Sequence, residues 1–142
     1  MNAQENVPLV ATIVSDDDRL DFYPANFGKY FSAAETMLYS LSRRYVKEYD
    51  GGYWEFYTTT NGAFFAALKT SEAQHVVVPD NYTSEHMSAE AAGITLMLFV
   101  LGRFANARIP SHEAERFTDS FHKLRFFACR HAEAQAILTA ID

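Results

Sequence analysis

The chain has 142 residues, 49% of them hydrophobic and 21% charged, with a net charge of −6 and one cysteine. That length suits a single domain able to bury roughly 70% of the surface its unfolded form exposes, and the composition is globular, not disordered. Eighteen acidic and twelve scattered basic residues argue against direct binding to a phosphate backbone and against imitation of DNA by dense negative charge.

The opening MNAQENVPLV has neither the basic start nor the apolar core of a signal peptide, and the lone Cys129 fits a reducing cytoplasm. Residues 1–28 read as an N-terminal segment ahead of a core over 29–142, within one domain. After the short apolar stretch LVATIV, Ser15 or Asp16 is placed to cap a helical turn through Leu20 and Phe22. Asp16, Asp17, Asp18 and Asp21 make the only acidic cluster, readable as a solvated helix start or as a partner contact. From Phe31 to Tyr49, apolar residues at three- and four-residue steps predict a helix that Gly51 and Gly52 would stop.

The stretch YDGGYWEFYTTTNGAFF packs seven aromatic residues into seventeen positions. Its β-branched and aromatic run predicts a strand, and Asn61-Gly62 predicts a two-residue hairpin turn. In that register Thr60 faces Ala63, Thr58 faces Phe65 and Phe56 faces Ala67. Trp54, Phe56 and Phe65 then share one face, with Tyr53, Glu55, Tyr57 and Phe64 on the other. HVVVP, His75 to Pro79, is expected to add a third strand. With only Lys69 nearby, the aromatics read as sheet core, not as a base-stacking platform.

Ser88 is placed to cap a helix reaching Asn106, apolar nearly all round from Ile94 to Leu101 and therefore central. That run falls short of the roughly 20 residues a membrane span needs. Gly93 inside it predicts close packing against another backbone. Pro110 marks a break and Ser111 a new cap, followed by a stripe of Ala114, Phe117, Phe121, Leu124 and Ala128. A last short helix carries Ile137, Leu138 and Ile141. The expected fold is α+β: one domain with a small antiparallel sheet of about three strands, packed by about four helices.

No catalytic, cofactor or metal motif emerges. HEAER, His112 to Arg116, lacks the second histidine of a zinc-protease signature, and the five histidines show no metal spacing. Cys129 and His131 lie two residues apart, which on a helix points them in different directions. Glu55, between Tyr53 and Tyr57, is the best acid–base candidate, set against a structural hydrogen bond to a neighbouring tyrosine.

NFGKYF, the helix with its E…LY pattern, YDGGYWEFYTTTNGAFF, SAEAAGI and LRFFACRHAEA together resemble the ArdB/KlcA antirestriction family, from about residue 20 to the C-terminus. The resemblance implies a bacterial protein borne by a plasmid or mobile element, which lets incoming DNA escape type I restriction–modification, without cofactor and without catalysis. The matching motif residues are Tyr49, Gly51, Gly52, Trp54, Glu55, Phe56, Asn61, Gly62 and Gly93. All but Glu55 read as structural. Glu55 and the cluster Asp16, Asp17, Asp18 and Asp21 are the candidate partner contacts. Two mechanisms follow. In one, a monomeric, cytoplasmic binding module touches the restriction complex or a host factor controlling it. In the other, a small enzyme or ligand-binding domain uses a pocket beside the aromatic hairpin and Glu55. A deep pocket there favours the second, and an exposed apolar patch favours the first.

Overall fold

The computed structural model describes residues 8–142, so most of the opening stretch read for a signal peptide lies outside the described residues. The aromatic run Trp54–Thr59 forms β2, paired antiparallel with β3, Phe64–Leu68. Tyr57 faces Phe65, Thr58 faces Phe64 and Phe56 faces Ala66, one residue away from the register a two-residue turn would impose. The turn is longer because Thr59 closes it: its N–H donates to Ala63 O at 2.9 Å, and its hydroxyl accepts from Ala63 N–H at 2.9 Å. Asn61 is held outside the left-handed region, with its amide donating to the Lys123 carbonyl at 2.9 Å, and Gly62 alone takes positive φ, +83°. This is a three-residue loop ending on a left-handed glycine.

The slip exchanges the faces of β3. Phe64 joins Phe56 under Phe22, which stacks on Phe56 at 4.4 Å and meets Phe64 edge-on at 5.9 Å. Phe65 joins Tyr57, stacked at 4.8 Å, and reaches Phe127 at 6.1 Å. Both faces are thus covered. Gly62→Ala has space for its methyl, since the nearest side-chain atoms lie 3.7 Å away, so the cost is conformational. We expect a loss of about 1–2 kcal/mol, read as a lower urea midpoint at unchanged slope.

The third strand of this sheet comes from the N-terminus, not from HVVVP. β1, Ala11–Ile13, pairs with β2 with Ala11 opposite Thr59. HVVVP lies in β4, Gln74–Val78, which forms a separate two-stranded sheet with β5, Thr83–Met87. The short 3-10 segment Asp16–Asp21 leads into α1, Phe22–Phe27, which puts Phe22, Tyr23 and Phe27 into the core although all three belong to the N-terminal segment. Leu20, expected on the same turn, is 92% exposed.

α2 spans Phe31–Tyr45 and ends four residues before the expected stop. Val46 turns extended and bridges Val76 while Lys47 N–H donates to His75 O at 3.0 Å, so pairing with β4 replaces the last helical turn. Gly51 and Gly52 instead sit in the loop before β2, at φ +101° and +140°.

α3, Ala89–Ala105, starts where Ser88 Oγ accepts from Ala91 N–H at 3.1 Å, and it is buried nearly all round. Gly93 lies against β3. A methyl built on it would meet Ala66 O at 2.1 Å and Ala67 Cα at 2.9 Å. α4, Ser111–Cys129, follows Pro110 and buries Phe117, Leu124, Phe127 and Ala128; α5, Ala134–Ile141, buries Ile137 and Ala140. The fold is α+β: four helices of eight residues or more, together with α1, around antiparallel sheets of three and two strands. Among the described residues no helix is long and apolar enough to cross a membrane.

Candidate functional site

The loop and strand from Tyr49 to Glu55 border three surface concavities. The first, about 380 Å³, is lined by Ile13, Val14, Asp16, Arg19, Tyr53, Glu55 and Lys69. It brings Asp16 and Glu55 to one groove although they are far apart in the chain. Arg19 does the joining: its guanidinium lies 4.6 Å from the Tyr53 ring centre and 4.5 Å from that of Phe56, docking the 3-10 segment on β2. Asp17, Asp18 and Asp21 are exposed and lie outside that lining, and Asp18 accepts from Ser15 Oγ at 3.0 Å.

Glu55 is partly buried and has two partners. Lys69 Nζ stands 3.8 Å from one carboxylate oxygen, and the Tyr57 hydroxyl donates to the other at 2.9 Å. Burial, then the hydrogen bond to Glu55, pushes the Tyr57 phenol up to about 12, so at neutral pH it keeps its proton and remains the donor. Ile13 and Tyr53, about half exposed, give the groove an apolar stripe.

The second concavity, about 410 Å³, lies between α2 and the loop before β2. Tyr39, Tyr49 and Trp54 form its aromatic wall, and Trp54 Nε1 donates to the Tyr49 hydroxyl at 3.3 Å. Arg43 and Asp50 supply its charges, and Gly51 and Gly52 its rim. The third, about 230 Å³, lies on the other side of the same loop, between Lys47 and Lys69.

Elsewhere several polar side chains are engaged within the structure. His131 Nδ1 accepts from Glu133 N–H at 3.0 Å, and its Nε2 meets a Glu90 oxygen at 2.6 Å. With both ring nitrogens engaged, His131 is no base for Cys129. Glu133 also accepts from Ser88 N–H at 2.8 Å and from the Ser88 hydroxyl, clasping α3 to the start of α5. His75 and His86 stack across β4 and β5 at 4.1 Å. Among the described residues no three His, Cys, Asp or Glu side chains are grouped to hold a metal ion.

Sequence reasoning alone does not single out Arg19, Lys69, Tyr53 or Ile13 as site residues. A lone arginine among aspartates and a lysine at a strand end carry no local signal; only tertiary pairing gathers them. The same holds for Tyr39 and Arg43, although their four-residue spacing places both on one side of α2.

A family model described as antirestriction protein matches residues 47–142. Antirestriction protein KlcA of Escherichia coli is 38% identical over 143 residues, spanning the whole of both chains. Another KlcA of Escherichia coli is 37% identical over 138 residues, covering 95% of this chain and 94% of its own. Solved coordinates of the KlcA and ArdB proteins align with the whole chain at a TM-score of 0.87 and 37% identity. Those proteins are described as showing a novel fold and antirestriction activity against type I DNA restriction systems in vivo but not in vitro.

Proposed function

We infer the function of this chain from its family: it belongs to the antirestriction proteins. In this reading it protects incoming plasmid or mobile-element DNA from type I restriction–modification in a new host. The observation that carries it is the whole-length likeness, in sequence and in fold, to the KlcA and ArdB proteins, for which antirestriction activity against those systems is described.

We propose a non-catalytic, protein–protein or indirect route, exerted by a monomer in the cytoplasm and without direct DNA binding. Charge supports this. A net −6 spread over 142 residues is far from the density of a duplex, one charge per roughly 1.7 Å. Several cations are also engaged internally: Lys29 with Glu113 at 3.0 Å, Arg116 with Ala25 O at 2.7 Å, and Arg130 over the Phe126 ring at 3.7 Å. The activity of KlcA and ArdB in vivo but not in vitro agrees with a route that needs a further cellular component. The contact surface we propose is the groove shared by Asp16 and Glu55, with its apolar stripe and the flanking Asp17, Asp18 and Asp21. The partner is the type I complex or a host factor controlling it.

Changing Asp16, Asp17 and Asp18 together to Asn tests that surface. All three are exposed and only Asp18 has a side-chain bond, so the thermal midpoint should stay within a few degrees. Protection of unmodified phage in a type I restricting host should fall. Full protection by the folded triple variant would make the cluster a solvated helix start and nothing more.

A further inference from the structure

We propose that the cleft between α2 and the loop before β2 is a binding site for a nucleoside monophosphate. Its volume, about 410 Å³, lies within the range of small-molecule sites, roughly 300–1,000 Å³. Trp54 stands between two phenols, 6.0 Å from Tyr39 and 6.1 Å from Tyr49, with the rings tilted by 50° and 55°. Trp54 is itself buried and its indole N–H is given to the Tyr49 hydroxyl, so the ring surface this wall offers a flat ligand is that of the partly exposed Tyr39 and Tyr49.

Arg43 and Asp50 face the same cleft, and among the described residues neither has an ion-pair partner within 4.0 Å. An unpaired guanidinium is a fork for an anionic oxygen pair, and an unpaired carboxylate takes hydroxyl donors. A base, a phosphate and a ribose diol answer the wall, Arg43 and Asp50 in turn. A single aromatic amino acid offers a ring and both charges but leaves much of this volume unfilled.

Two further observations lie near that wall. The adjoining loop holds three residues at positive φ: Glu48 at 63°, Gly51 at 101° and Gly52 at 140°. A non-glycine residue in that region is strained, and such strain gathers at ligand clamps. The Tyr23 hydroxyl is, among the described residues, the one buried side-chain polar atom without a partner. Tyr23 is 4% exposed, and burial, then the nearby Tyr39, Glu35 and Tyr49, keep its phenol protonated. Polar bonding is thus incomplete at Tyr23, close to Tyr39 and Tyr49.

Trp54 is the only tryptophan, so its fluorescence reports on the cleft directly. The full chain is titrated with 5′-AMP, and in parallel with adenosine, ribose 5-phosphate and L-phenylalanine. We expect a saturable change with 5′-AMP below about 1 mM, and midpoints weaker by about tenfold or more for the other three. Arg43→Gln should weaken 5′-AMP by about tenfold while circular dichroism and the thermal midpoint stay unchanged, since Arg43 is exposed and unpaired. No saturation by about 10 mM 5′-AMP overturns the proposal, as does equal binding of L-phenylalanine or ribose 5-phosphate, or an unaltered midpoint in folded Arg43→Gln.

Discussion

Gly93→Ala is expected to destabilise the chain by about 3 kcal/mol, at the upper end of what one added methyl does in a packed interior. The new carbon would stand 2.1 Å from the Ala66 carbonyl oxygen and 2.9 Å from the Cα and Cβ of Ala67. The obstructing atoms are backbone and a Cβ, none of which can rotate away as a long side chain could. Relief requires α3 to move off β3, and α3 is the helix against which β3, α4 and α5 all pack. Urea unfolding of wild type and variant at equal slope measures the effect. A loss below about 1 kcal/mol would mean that the α3–β3 approach is looser than described.

Phe27→Ala should cost more, about 3–5 kcal/mol, because the ring is 1% exposed and joins four parts of the fold. It packs on Tyr23 of α1, Phe64 of β3, Phe104 of α3 and Phe117 of α4, with centroid distances of 5.6–6.0 Å. Removing it leaves a cavity among other rings, which collapse poorly. Leu20→Ala is the control. Leu20 lies seven residues earlier, 92% exposed, and its truncation should change stability by no more than about 0.5 kcal/mol. Similar losses in the two variants would contradict the placement of the N-terminal segment, with Phe27 inward and Leu20 outward.

Local chemistry made α3 the most legible element. Ser88 caps it as its side chain requires, its all-round apolar run is central, and Gly93 marks the close approach. Pro110 likewise marks the start of α4. Expectation and structure part where two local rules compete or where pairing is distant. Asn61-Gly62 satisfies the rule for a two-residue turn, but the Thr59 hydroxyl and the Lys123 carbonyl favour a longer loop, and the slip moved Phe65 to the opposite face. Tyr49 continues the helical stripe of α2, yet Val46 leaves the helix to bridge Val76, thirty residues on. The strand Ala11–Ile13 is too short to stand out before its partner is known. For the groove, Asp16 and Glu55 were legible as unusual charges. Arg19 and Lys69, which dock and pair with their surroundings, become significant only once β2 and the 3-10 segment meet.

Antirestriction itself is tested most directly by plating unmodified phage on a host with an active type I restriction system, with and without this protein expressed, beside a matched restriction-deficient host. The reading predicts that expression raises plating efficiency in the restricting host towards that of the deficient host, and leaves the deficient host unchanged. Unchanged plating in the restricting host, with soluble folded protein present in the cells, would contradict it.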